Sequence, residues 1–163
     1  MGIITYGTGN EAKNTGNATV RDADSVGFVV AGEKNTFKNK GDIDVSLNGT
    51  GALVSGDMSQ VTLDGDINVV SVQDSEGVFS SATGVSVSGD SNAVDITGNV
   101  NISADYGQDD LAAGAPGLSV TGDDNDVEID GGINITHSED PLDGTSADIT
   151  GISVSGNSTP DSG

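Results

Sequence analysis

The stretch Gly84-Val85-Ser86-Val87-Ser88-Gly89-Asp90-Ser91-Asn92 decides how this chain is read, because it recurs. It returns as Gly117-Leu118-Ser119-Val120-Thr121-Gly122-Asp123-Asp124-Asn125 and, shortened, as Gly151-Ile152-Ser153-Val154-Ser155-Gly156-Asn157. Earlier versions begin at Gly27 and Gly51, and a degenerate one at Gly2, which makes six starts. The likeness continues downstream. Val94-Asp95-Ile96-Thr97-Gly98-Asn99-Val100-Asn101-Ile102 is answered by segments 61–69 and 127–135, and more loosely by 12–20 and 37–45. Self-similarity of this kind marks a stacked-repeat architecture.

Each unit holds three short runs in which apolar residues alternate with polar ones. Period-2 alternation is the pattern of a half-buried strand. Gly, Asp and Asn separate the runs, and these residues tolerate the positive φ that a tight corner needs. Three strands per unit, stacked unit on unit, predict an all-β fold: a parallel β-helix, or β-solenoid. Six turns are expected, starting near residues 2, 27, 51, 84, 117 and 151, in one segment spanning 1–163. The irregular turn length favours the right-handed kind. Equivalent residues would lie about 4.8 Å apart in successive turns, so Phe28, Ala52, Val85 and Leu118 form one inward column and Val30, Val54, Val87 and Val120 another. Polar Asn14 and Asn39 stand where later turns carry Leu63, Ile96 and Ile129. The favoured reading is weak packing of the first turns, with an amide ladder as the alternative. Asn10, Asn35, Asn92 and Asn125, interrupted by Ser59, are the better ladder candidates.

Composition agrees with a thin core. Of 163 residues 25 are Gly, 33% are apolar and 3% aromatic, and there is no Cys or Trp. The usual globular apolar share is roughly 45–50%. The net charge of −21 argues against nucleic acid and against anionic lipid surfaces. No run is long enough to span a bilayer, so this segment is not expected to insert into a membrane. Neither a thiolate zinc site nor a disulfide framework is available. All five bases (Lys13, Arg21, Lys34, Lys38 and Lys40) precede residue 41, whereas 22 of the 26 acids follow it.

The third connection of each unit lengthens along the chain, from 21–26 and 46–50 to 70–83, 103–116 and 136–150. Insertions at one corner stack on one edge of a solenoid, and such an edge is often the binding face. The candidate interaction residues are therefore Asp74, Glu76, Asp105, Tyr106, Asp109, Asp110, His137, Glu139, Asp140 and Asp143. Plain tolerance of insertion at that corner is an equal alternative. No catalytic set is expected. His137 has no second His or Cys to complete a metal site, and Arg21 is the only Arg. Paired carboxylates on a β-helix could process a polysaccharide, which is kept as an alternative function. Asp57, Asp90 and Asp123 share one corner, and stacked carboxylates repel by about 1 kcal/mol in water. Calcium would relieve this, but the serial Gly-Gly-x-Gly-x-Asp repeat is absent. No cofactor is expected, and a calcium-dependent stalk is the less favoured reading.

The repeat Gly-Val-Ser-Val-Ser-Gly-Asp-Ser-Asn, followed by Val-Asp-Ile-Thr-Gly-Asn-Val-Asn-Ile, resembles the passenger regions of enterobacterial autotransporters, and most of all the large BigA-type surface-exposed virulence proteins. The resemblance runs from Gly2 to Gly156 and rests on scaffold positions, so it carries no catalytic residue across. It implies a right-handed parallel β-helix at the cell surface, adhering to a host surface protein or glycan or to neighbouring bacterial cells. Autotransporters also carry a signal peptide and an outer-membrane barrel. Neither is recognisable here, and the chain reads as an excised passenger segment.

Overall fold

A computed structural model describes residues 2–21, 25–46, 49–72, 82–105, 116–138 and 151–157. All regular structure among them is strand. The first turn holds β1 (Ile3–Tyr6), β2 (Glu11–Asn14) and β3 (Ala18–Val20), and the second β4 (Val26–Ala31), β5 (Thr36–Asn39) and β6 (Ile43–Ser46). The third has β7 (Thr50–Ser55), β8 (Gln60–Leu63) and β9 (Ile67–Val72), and the fourth β10 (Thr83–Ser88), β11 (Ala93–Ile96) and β12 (Val100–Asp105). The fifth has β13 (Leu118–Thr121), β14 (Asp126–Ile129) and β15 (Ile133–Ser138), and β16 (Ile152–Ser155) opens the sixth.

Every strand pairs in parallel with the equivalent strand one turn away, giving three sheets ordered β1-β4-β7-β10-β13-β16, β2-β5-β8-β11-β14 and β3-β6-β9-β12-β15. The molecule is a parallel β-helix with three strands per turn. Here these are called the first, second and third sheets. The register follows the repeat: Val54 pairs Val87 and Val87 pairs Val120, while Val61 pairs Val94 and Val94 pairs Val127. Successive rungs bond to each other, so strand backbone is satisfied only by the next copy of the same sequence.

The inward columns form one continuous core in which Phe28, Phe37, Ile43, Val54, Leu63, Val85 and Ile96 are fully buried. Each such aliphatic side chain gains roughly 1.5–3 kcal/mol from leaving water. The rings of Phe28 and Phe37 meet at 4.8 Å between centroids and 52° between planes. The columns come to the surface at the sixth turn, where Ile152 is 56% and Val154 71% exposed.

The corner between the first and second sheets is built from Gly and Asn. Gly32, Gly56, Gly89 and Gly122 hold φ between 100° and 116°, a region closed to side chains. Two residues on, Lys34, Met58, Ser91 and Asp124 hold φ near 55°, where the first turn has Gly9 at 68°. Inside this corner, Asn92 is buried. Its Nδ2 donates to the Gly56 carbonyl at 2.7 Å and to Asn125 Oδ1 at 3.1 Å, and its Oδ1 accepts the Ser59 N–H at 3.0 Å. Asn125 repeats the bond with the Gly89 carbonyl, and Asn35 with the Gly7 carbonyl. The expected corner ladder is present, with Ser59 bonded within it.

The expectation of weak packing at Asn14 and Asn39 is corrected. Asn39 is fully buried. Asn14 Nδ2 donates to Asn39 Oδ1 at 2.8 Å, and each amide also donates to a backbone carbonyl two residues on, at Gly16 and Gly41 respectively. The first two turns therefore use a bonded amide rung where later turns use aliphatic contact. A buried amide is tolerated because its hydrogen bonds are made.

Candidate functional site

Two surfaces compete for function: the corner between the third and first sheets, where the insertions leave, and the acidic columns on the other corners. At the insertion corner the strands run further than alternation alone indicates. Val70, Ser71 and Val72 of β9 pair with Ser103, Ala104 and Asp105 of β12, which pair in turn with Thr136, His137 and Ser138 of β15. Asp105 and His137, expected in loops, belong to strands of the third sheet, and each of the three loops starts after that paired stretch. The other candidates, Asp74, Glu76, Tyr106, Asp109, Asp110, Glu139, Asp140 and Asp143, lie outside the described residues.

The acidic columns have a structural role that the sequence reading missed. Asp57 Oδ1 accepts the backbone N–H of Asp90 at 2.8 Å, Asp90 Oδ1 that of Asp123 at 2.8 Å, and Asp123 Oδ1 that of Asn157 at 2.8 Å. The corner between the second and third sheets repeats the device: Asn17 Oδ1 accepts from Asp42 N, Asp42 Oδ1 from Asp66 N, Asp66 Oδ1 from Asn99 N, and Asn99 Oδ1 from Gly132 N. Each side chain satisfies a corner N–H in the next turn that no strand ladder reaches. The signal was legible as an exchange of Asp and Asn within a column. Such exchange preserves the oxygen that accepts the N–H of the next turn and discards the charge. On the outer face of the third sheet a one-way amide chain runs from Asn134 to Asn101, Asn68 and finally Asp44, at 2.8–2.9 Å per step.

Among the described residues, no three His, Asp or Glu side chains converge to hold a metal ion. No helix among them is long and apolar enough to cross a membrane. One groove there, of about 270 Å³, lies on the outer face of the second sheet along Gln60, Thr62, Ala93, Asp95, Asp126 and Glu128, and a larger cavity of about 480 Å³ opens at the last turns among Leu118, Val120, Ile129, Ile152 and Val154.

The comparison that bears on identity is with a Salmonella typhimurium protein described as "Putative surface-exposed virulence protein BigA". The two are 81% identical over 151 aligned residues, covering 69% of this chain and 8% of the relative. This segment is BigA-like. The identity is far beyond what a shared repeat architecture alone requires. The match spans only a small part of the BigA relative's length; that protein's description supports a cell-surface location for this chain, and its connection with virulence is stated of the whole relative. No protein-family model matches the chain, and no solved structure matches it.

Proposed function

We propose that the chain is a non-catalytic stalk segment of an autotransporter-type surface protein, presenting acidic loops for adhesion to a host surface protein or glycan, or to neighbouring cells. The observation that carries this reading is the occupation of the corner side chains by the scaffold. The column carboxylates Asp57, Asp90, Asp123, Asp42 and Asp66 each hold the main chain of the following turn. Groups committed to holding turns together are poor general acids or bases, since that work needs a proton site free to face a substrate. What remains for recognition is surface displayed on a rigid rod, and the insertions all leave that rod at one corner.

The test compares the chain with a version in which 73–81, 106–115 and 139–150 are each replaced by a short Gly-Ser link. Both are screened against immobilised matrix proteins and a glycan array, with glycan hydrolysis followed in parallel. Binding that disappears with the loops is expected. Equal binding by both versions would remove the loops from the account, and glycan cleavage would replace adhesion by polysaccharide processing.

A further inference from the structure

With 26 acids and 5 bases in the chain, a base placed without regard to its surroundings would have acids for neighbours. Three of the bases instead stand together on the outer face of the second sheet, in its first two turns. Lys13 of β2 pairs in register with Lys38 of β5. Lys40 is the next outward position after Lys38, and its N–H bonds to the Asn14 carbonyl of the turn before. Successive turns lie about 4.8 Å apart and alternate strand residues about 6.8 Å apart, so the three positions fall within about 8 Å of one another. Like charges directly opposite each other destabilise a sheet, and the chain answers only one of the three. Lys38 meets Asp64 of the third turn at 3.2 Å. Lys13 and Lys40 are exposed and form no ion pair among the described residues.

The acids nearby do not cancel this patch. Glu11 is the one acid facing outward from the sheet in these two turns. Glu33 adjoins Lys34 at the corner before β5, and both are exposed. Asp42, at the corner after β5, accepts Asn17 Nδ2 on one oxygen and the Asp66 N–H on the other. Beyond Asp64 the next acid of the face is Asp95, two turns past Lys38, or about 10 Å. Charge is screened over about 8 Å at physiological salt, so most of the net −21 is felt elsewhere on the rod.

We infer that this patch binds a linear polysaccharide carrying sulfate or carboxylate groups, lying across the first two turns. Such a polymer supplies what the patch lacks, anionic groups repeated along a chain. Lys38 keeps two N–H donors beyond the one it gives Asp64, with 41% of its side chain exposed. Thr36, outward beside it, offers a hydroxyl suited to a sugar. Lysine binds anions as a point charge, so the site reads charge along the polymer. Single-stranded nucleic acid fits less well, because no aromatic side chain faces outward here for a base to stack on. Exposed ion pairs contribute little each, and retention therefore comes from a polymer that spans many displayed copies. The site uses none of the loops. It goes beyond the proposed function, and either can fail without the other.

The experiment couples the whole chain at high density to a biosensor and passes over it heparin, hyaluronan and uncharged dextran of similar length. Heparin should be retained at physiological salt and released at about 1 M salt, where the screening length falls to about 3 Å, and dextran should pass. Retention of hyaluronan as well would show that carboxylates suffice, and its passage that sulfate is required. Lys13→Gln with Lys40→Gln should weaken retention roughly fivefold or more, and Glu11→Gln should strengthen it about twofold. The version with its loops replaced by Gly-Ser links should bind as the parent does. Unchanged far-ultraviolet circular dichroism and melting temperature show that the variants are folded. Passage of both anionic polymers, equal retention of dextran, undiminished binding by the double variant, or loss of binding with the loops would each overturn the inference. Stronger retention of single-stranded DNA than of heparin would overturn the assignment to a polysaccharide.

Discussion

Asn39 and Asn92 are both buried amides in a column, yet their columns differ in what replaces them. At the level of Asn39 the next turns supply Leu63, Ile96 and Ile129, so the space accepts an aliphatic side chain. Asn39→Leu is expected to change stability by less than about 1 kcal/mol, since the apolar burial gained by the larger side chain offsets the lost bonds to Gly41 and Asn14, and half-buried Asn14 still donates to Gly16. Asn92→Leu strips the partner from the Ser59 N–H and the Gly56 carbonyl inside the corner, at a cost of about 2–4 kcal/mol. Urea unfolding of the two variants would separate the cases, and equal losses would contradict the assigned roles. Met58 gives a stabilising counterpart. It sits at φ 55° and is half-exposed, at the level where the first turn has Gly9. Met58→Gly relieves roughly 1–2 kcal/mol of left-handed strain and loses about 0.5–1 to backbone entropy. The expected net gain is about 0.5–1 kcal/mol, read as a higher urea midpoint. The inward columns were legible residue by residue because burial follows alternation. The bonding of Asn14 to Asn39 was not, since composition cannot say whether a polar residue in an apolar column has found a partner.

Strands of the third sheet show where pattern reading stops. Alternation ends near Val69, but the ladder continues to Val72 because β12 offers a partner as far as Asp105. Pairing is a property of two chains of residues, so one sequence window cannot show its end. The consequence for engineering is specific. Cutting 70–83 would remove paired backbone together with Ala82, which is fully buried. Replacing only 73–81 by a three-residue link, as long as the 47–49 connection of the second turn, should leave the coil folded. Its circular dichroism should be retained and its melting temperature should stay within a few degrees, because shortening the connection changes closure entropy by only about 1 kcal/mol. Collapse of the strand signal would show that the segment is part of the scaffold.

For the whole molecule, the charge of −21 raises the question of how stacked acids are accommodated. One oxygen of each corner carboxylate at Asp57, Asp90 and Asp123 accepts an N–H of the next turn, which gives the stacked acids a favourable partner within the chain. The melting temperature should therefore be the same with calcium and with chelator; a rise of several degrees in calcium would reveal a site that stabilises the folded state. The fold was legible because a solenoid writes its contacts into the sequence as a repeat. In-register stacking has a further consequence, for heredity. Val54, Val87 and Val120 stand 33 residues apart and touch in sequence. A recombination event that drops or copies one such unit joins rung to rung with nothing left unpaired. It changes the height of the rod by one step of about 4.8 Å, so the distance a surface protein of this kind projects can be reset by unequal crossing-over, without a single compensating substitution.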